Sequence, residues 1–273
     1  MWTADHVKKT LPVRSAEAHK GTFGTALLAV GSPFMPGAAI LAGMSCLRSG
    51  AGKLEIGADE SVFPHVSAHL PEATYVPEFS EKMMRGDIDL SSYRVLTCGS
   101  GREPGPETEK IIDRFLQTDI PVVLDAGALS KRTYAVRNAP VILTPHPGEF
   151  ERISSIELEG SKEARIQAAE EMAQTFGVTI VLKGKETVIS FPDGETRINP
   201  TGNSALAKGG TGDVLTGMIS GMLCCHKDWK HAVLNAVYLH GACADEWIKT
   251  KSSHTMLASE ITKLLPEVWK AHE

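Results

Sequence analysis

Short runs of apolar, β-branched residues recur along this chain, each ending in glycine, proline or a polar turn, with helical patterns between them. "TALLAVGS" (25–32), "KLEIGAD" (53–59), "RVLTCGSG" (94–101), "PVVLDAG" (121–127), "PVILTPH" (140–146) and "TIVLKG" (179–184) read as strands. Several are apolar at every position rather than at alternate ones. A strand without a polar face must be covered on both sides, and that points to a mostly parallel sheet with helices on each face. Polar residues then gather at the carboxyl ends of the strands, where open α/β sheets bind their ligands.

Helical spacing fills the gaps. "PGAAILAGMSCLRSG" (36–50) and "SKEARIQAAEEMAQTFG" (161–177) both carry it; in the second, Ile166, Ala169, Ala173 and Phe176 form one stripe, and Gly50 and Gly177 mark helix stops. Two runs around Pro192, Asp193 and Gly194 read as a hairpin, hence an antiparallel edge at which the parallel sheet ends. The last third, from "DVLTGMISGMLCC" through "HAVLNAVYLHGACADEWI" to "LASEITKLLPEVWK", is helical. The expected fold is therefore α/β: a central, mostly parallel sheet flanked by helices on both faces, with an antiparallel hairpin at one edge. No linker, repeat or low-complexity stretch divides residues 1–273, so one domain is expected.

Composition narrows the partners. With 42% apolar and 22% charged residues and a net charge of −5, the chain has the makeup of a water-soluble globular protein and no block of basic residues of the kind nucleic-acid binders carry. No apolar run approaches a membrane span, and the start has no signal-peptide pattern. The cysteines at 46, 98, 224, 225 and 243 are odd in number, lack C-x-x-C spacing and sit in apolar surroundings. They are expected to be buried thiols in a reducing, cytoplasmic setting.

The segment richest in chemistry is "NPTGNSALAKGGTGDVLTGMISGML" (199–223). Glycines 209, 210 and 212 free the backbone amides before a helix whose apolar positions are Val214, Leu215, Met218, Ile219, Met222 and Leu223. Unpaired amides and the positive end of the helix dipole make such a start an anion site. Gly217 and Gly221 suggest close packing against a neighbour. Asp213 has a plain reading as the helix cap. Beside an anion hole, however, a carboxylate repels phosphate unless it serves as a base toward an attacking hydroxyl.

Other stretches are weaker alone. "LRSGAGKL" misses the P-loop at its first glycine and its final Ser/Thr, and "GSGREPG" is no dinucleotide fingerprint. In "TPHPGEFERI" (144–153) two prolines flank His146, which reads as a ligand contact or as a rigid strand-to-helix turn; Glu149 can organise water or a metal. "LDAGAL" places Asp125 at a strand end, as a polar contact. "LKGKET" (182–187) brackets a glycine with two lysines, suited to phosphate or to an exposed turn. His240 and Asp245 on the "NAVYLHGACAD" helix read as helix packing.

Taken in order, "HKGTFGTALLAVGS", "PGAAILAG", "LDAGAL", "ILTPHPGEF", "VLKGKET" and "NPTGNSALAKGGTGDVLTG" resemble the ADP/ATP-dependent NAD(P)H-hydrate dehydratases of the ribokinase-like superfamily. The likeness runs from about residue 19 through the C-terminal helices, and is to the stand-alone form rather than to relatives with an added N-terminal epimerase domain. It implies repair of NADHX and NADPHX: a nucleotide phosphate activates the C6 hydroxyl, phosphate is then eliminated, and ADP leaves as AMP. By matching motif, Asp213 is implied as the base and Gly210, Thr211 and Gly212 as the anion hole. Lys183, Gly184, Lys185, Glu186 and Thr187, with Gly212, are implied to bind the nucleotide. Ala39, Gly101, His146 and Asp213 are implied to contact the hydrated cofactor, with Asn203 and Glu149 in support. The family often has proline between the two glycines where this chain has Ser100. Magnesium is implied as cofactor, although no compact metal cluster is legible, and a homotetramer is implied as assembly. Two other readings stay open: a ribokinase-like kinase of the hydroxyethylthiazole or hydroxymethylpyrimidine type, and a non-catalytic nucleotide sensor.

Overall fold

The strand Thr25–Ala29 shows why the fold takes its layered form. Ala26 and Leu28 enter one apolar layer, Leu27 and Ala29 the other, and all four are fully buried. The computed structural model describes every residue of the chain except Val136 and Glu159. Its strands are β1 (Thr25–Ala29), β2 (Lys53–Ile56), β3 (Thr74–Tyr75), β4 (Val95–Cys98), β5 (Val122–Leu124), β6 (Val141–Leu143), β7 (Thr179–Leu182), β8 (Val188–Ser190) and β9 (Thr196–Ile198). They form one sheet in the order β3-β2-β1-β4-β5-β6-β7-β8-β9. Pairing is parallel from β3 across to β7 and antiparallel from β7 to β8 and β8 to β9. The hairpin turns at Pro192, Asp193 and Gly194, where the Phe191 amide donates to the Glu195 carbonyl at 2.8 Å.

The helices are α1 (Ala4–Thr10), α2 (Pro36–Arg48), α3 (Phe63–Ser67), α4 (Phe79–Arg85), α5 (Pro106–Leu116), α6 (Pro147–Ser154), α7 (Lys162–Phe176), α8 (Thr211–Cys225), α9 (Trp229–Trp247) and α10 (Ala258–Lys270). Core residues of α1, α2, α3, α8, α9 and α10 pack on one face of the sheet. Those of α4, α5, α6 and α7 pack on the other. Helices α2 and α8 lie closest together, because glycine replaces side chains where they touch. A Cβ on Gly217 would stand 2.1 Å from the Ala42 carbonyl oxygen, and one on Gly221 2.1 Å from that of Cys46.

The expected alternation holds, with one consistent difference: each of the six expected strands ends two or three residues before the end of the stretch read as strand. The residues beyond the last pairing, such as Gly31, Gly99 and Lys183, leave the sheet and form loops over its carboxyl edge. Gly99 shows the constraint most plainly, with φ +127° and a would-be Cβ 1.7 Å from the Asp125 carbonyl oxygen. Nothing in the expected pattern corresponds to β3, α1, α3, α4 or α5. These segments are short or largely polar, and the apolar positions of α5 (Ile111, Ile112 and Phe115) gain a partner only when the sheet is assembled. Among the described residues no helix is long and apolar enough to cross a membrane. All five cysteines are free, with Cys225 partly exposed and the others buried; burial pushes the Cys98 and Cys224 thiols up to about 12.

Candidate active site

The carboxyl ends of β4, β5, β6 and β7 and the amino end of α8 converge on one small region. Gly210 occupies the cap position of α8 with φ +91°, a left-handed conformation that glycine adopts without strain. Asp213 is therefore not the cap; it is the third residue of the helix, and its carboxylate faces the strand ends. Among the described residues the amides of Gly210, Gly212 and Asp213 have no hydrogen-bond acceptor, while that of Thr211 turns back to the Lys208 carbonyl at 3.4 Å. The Thr211 hydroxyl is spent on the Leu206 and Lys208 carbonyls, each at 2.9 Å. Free amides at a helix start are what binds an oxyanion.

Beneath this turn lies Asp125, which is only 2% exposed. Its Oδ1 accepts from Thr144 Oγ1 at 2.7 Å and from Lys183 Nζ at 3.0 Å, and its Oδ2 from Ser100 Oγ at 3.3 Å. Burial alone would push its pKa up. The Lys183 ammonium, with hydrogen bonds from Thr144 and Lys183, outweighs that and holds the carboxyl below its ordinary value. Lys183 in turn reaches the anion loop: a Cβ on Gly212 would lie 3.4 Å from its Nζ. Glu149 Oε2 is 3.8 Å from the same ammonium.

Asp213 behaves oppositely. Burial and the neighbouring Asp125 charge push its carboxyl up to about 6, against smaller downward pulls from Ser100 and Lys183. Two carboxylates in one site, one held charged and the other poised near neutrality, form the usual arrangement of a proton acceptor beside an electrostatic partner.

The remaining expected residues fall on the rim. His146 caps α6: its Nδ1 accepts from the Glu149 amide at 3.3 Å, and Glu149 Oε2 accepts from the His146 amide at 2.8 Å, while the imidazole stays exposed. The rigid turn and the outward histidine thus coexist. Gly101 lies against Ala38, beside Gly31. Ala39 is completely buried under Gly31, so it shapes the floor rather than presenting surface. Lys185, Glu186 and Thr187 form an exposed to half-buried turn that Arg165 and Lys162 of α7 pin down. Arg165 donates to the Lys185 carbonyl at 2.9 Å, Lys162 meets Glu186 at 2.8 Å, and the Thr187 hydroxyl donates to the Gly184 carbonyl at 3.1 Å.

Helix α9 carries more than packing. Asp245 accepts from the Gly202 amide at 3.0 Å and from Asn203 Nδ2 at 2.8 Å, which fixes the loop that Asn203 also caps by accepting from the Ala205 amide. His240 Nε2 lies 3.0 Å from the Thr211 carbonyl; burial pushes this histidine down to about 4, so it is neutral and donates. Ser100, Thr144, Arg165, His240 and Asp245 thus join the site although spacing along the chain gives no sign of it. Asp125 had one signal, a lone carboxylate ending an apolar strand.

Among the described residues no three His, Cys, Asp or Glu side chains converge as a metal cage. Such a donor set suits a hard cation only in the company of phosphates, since magnesium retains waters and takes few protein ligands.

The model of the NAD(P)H-hydrate dehydratase family matches residues 26–267. The chain belongs to the NAD(P)H-hydrate dehydratase family. A member from Bacillus subtilis (strain 168), the ADP-dependent (S)-NAD(P)H-hydrate dehydratase, is 55% identical over 272 residues, covering 100% of this chain and 98% of that protein. The crystal structure of the ADP/ATP-dependent NAD(P)H-hydrate dehydratase from Bacillus subtilis, co-crystallised with ATP/Mg2+, superposes with a TM-score of 0.96 at 55% identity, covering 100% and 98% of the two chains. A hydroxyethylthiazole kinase from Pyrococcus horikoshii OT3 shares the fold alone, at TM-score 0.57 and 16% identity over 97% of this chain and 91% of that one. A ribokinase-like superfamily protein from Enterococcus faecalis V583 has the same layout, at TM-score 0.84 and 27% identity over 99% of this chain and 95% of that one, and the family match favours the dehydratase reading over the kinase one.

Proposed function

We propose that this chain is an ADP- or ATP-dependent NAD(P)H-hydrate dehydratase that returns (6S)-hydrated NADH and NADPH to the reduced cofactors. Hydroxide leaves poorly from C6 near neutral pH, so the hydroxyl is first phosphorylated. Asp213 takes the hydroxyl proton as the oxygen attacks the terminal phosphorus of the nucleotide. The free amides of Gly210 and Gly212, that of Thr211 once it gives up its long 3.4 Å contact with the Lys208 carbonyl, and the Lys183 ammonium meet the charge on the phosphoryl oxygens. The ring nitrogen's electron pair then expels phosphate from C6, and loss of a proton from C5 restores the double bond. ADP as donor leaves as AMP.

One observation carries this reading: a carboxylate pushed up to about 6 stands inside a helix amino terminus whose Gly210, Gly212 and Asp213 amides are free. A general base tuned toward the working pH accepts a proton at little cost and remains largely charged at pH 7. Lys183 to Thr187 are read as the nucleotide side, and Gly101 and His146 as the rim that meets the hydrated cofactor, with Ala39 beneath it. Asn203, held by Asp245, supports the loop. Glu149 would hold, through water, a magnesium ion arriving with the nucleotide, and that ion would supply neutralisation of phosphate charge. The same reading takes residues 1–273 as one domain, working in the cytoplasm as a homotetramer. Its free thiols, four of them buried, agree with a reducing compartment.

The test is a repair assay with the purified protein, magnesium and ADP or ATP in parallel. Hydrated NADH should regain reduced-nicotinamide absorbance with one inorganic phosphate released per turnover. A small-molecule kinase would instead accumulate a stable phosphate ester, and a sensor would bind nucleotide without turnover.

A further inference from the structure

The Ser100 hydroxyl takes no direct part in phosphoryl transfer, yet it stands among the carboxylates that govern it. Ser100 is completely buried. Its backbone is fixed from three sides: the Ser100 carbonyl accepts from the Gly31 amide at 2.7 Å, and the flanking glycines, Gly99 at φ +127° and Gly101 at φ +70°, take left-handed conformations. A Cβ on Gly99 would stand 1.7 Å from the Asp125 carbonyl oxygen, so this turn is pressed directly onto the end of β5. The hydroxyl is thereby held against Asp125, with Oγ 3.3 Å from Oδ2.

The two oxygens of Asp125 have different surroundings. Oδ1 is taken by Thr144 and Lys183. Oδ2 faces the start of α8, where a Cβ on Gly212 would lie 4.0 Å from it, and Asp213 is the next residue. A hydroxyl carries one proton and two lone pairs. Placed between two anions, it donates to one or the other, and either bond offsets part of their repulsion. Burial and the Asp125 charge push the Asp213 carboxyl up, and the Ser100 hydroxyl pulls it down more strongly than Lys183 does.

We propose that Ser100 is a positioning residue that keeps the aspartate pair doubly charged: its hydroxyl shares one proton between Asp125 Oδ2 and the Asp213 carboxylate, so that Asp213 meets the substrate hydroxyl as a base. The inference rests on the dehydratase reading, in which Asp213 is that base, and Ser100 acts through Asp213 rather than on the substrate. The charges facing Asp213 are Asp125 at the end of β5 and Lys183 at the end of β7, with Glu149 of α6 lying 3.8 Å from the Lys183 ammonium. His240 of α9 sits on the Thr211 carbonyl and is neutral. All of these remain when the serine hydroxyl is removed. Where the family has proline at this position the bridge is missing, so the serine sets the pH range of this chain rather than its chemistry.

The experiment follows kcat/KM for hydrated NADH across the acid limb, at saturating ADP and magnesium, for the wild type, Ser100→Ala and Ser100→Pro. Titration of the substrates is common to the three proteins and cancels in their ratios. Ser100→Ala deletes one oxygen without adding bulk, and loss of one long, shared hydrogen bond should move the limb to higher pH by about 0.7–1 unit. The ratio of wild type to Ser100→Ala should then be about three- to fivefold larger at pH 6 than at pH 8.5. Ser100→Pro loses the same hydroxyl while carrying the residue common in the family, and should show the same displacement. A limb that stays in place or moves to lower pH in either variant, or a loss of activity equal at every pH, would overturn the proposal, while repair by the wild type leaves the dehydratase reading standing. Absence of repair by the wild type at every pH would remove both.

Discussion

Asp213→Asn should yield a protein that is more stable and nearly inactive. The wild-type carboxyl sits at about 6 because burial and the Asp125 charge oppose its ionisation. From an ordinary value of 3.8 that is a rise of about two pH units, worth up to ~3 kcal/mol at 1.36 kcal/mol per unit. Residual contact with water trims this to roughly 1.5–3 kcal/mol. The folded state holds the proton more tightly than the unfolded chain, so this group's favourable contribution is complete below the unfolded pKa and is lost as pH rises through about 6. At pH 8 the wild type therefore carries the whole cost of a buried charge, which asparagine removes. For a chain of this length the gain corresponds to a rise in Tm of roughly 3–6 °C at pH 8, shrinking toward zero near pH 4. Urea unfolding of both proteins at the two pH values measures it, and kcat/KM should fall by about 100-fold or more for loss of a general base. A variant less stable than wild type at pH 8, or a gain of equal size at both pH values, would refute the electrostatic account of Asp213.

Three further substitutions probe the same region. Asp125→Asn removes the carboxylate that anchors Lys183 and raises Asp213; the acid limb of the kcat/KM profile should move to lower pH while KM for ADP rises, and an unmoved limb would argue against their coupling. Gly212→Ala adds a methyl group at ordinary contact distance from Lys183, so folding stability should change by less than about 1 kcal/mol. ADP affinity, read by calorimetry, should nevertheless drop about tenfold as the methyl group crowds the phosphate. Gly217→Ala drives a Cβ against the Ala42 carbonyl oxygen, and should cost about 3 kcal/mol or more in denaturant unfolding.

The layered architecture was legible because it rests on local periodicity. A fully apolar strand such as Val122–Leu124 must be covered on both faces wherever it lies, and glycines at 217 and 221 imply close helix contact before the partner is known. The glycine loop before α8 was equally local, since glycines immediately before an apolar helix define it without reference to the rest of the chain. The cap reading of Asp213 failed for a local reason too: the left-handed Gly210 begins the helix earlier and carries the aspartate into its first turn.

What sequence alone determined, then, was the alternation of strands and helices, the glycine-rich helix start, and, through ordered motifs, the family. Tertiary structure decided which distant groups act on that start. Asp125, Thr144 and Lys183 end three different strands, and only the parallel order β5-β6-β7 brings their side chains within 3.0 Å. His240 and Asp245 looked like packing because their partners, Thr211 and the Gly202–Asn203 turn, lie 29 and more residues away in the chain. Hydrogen bonds and charge coupling act over a few ångströms of space whatever the separation in sequence. Asp213's proton affinity therefore belongs to the assembled sheet edge rather than to the "GGTGD" stretch that contains it.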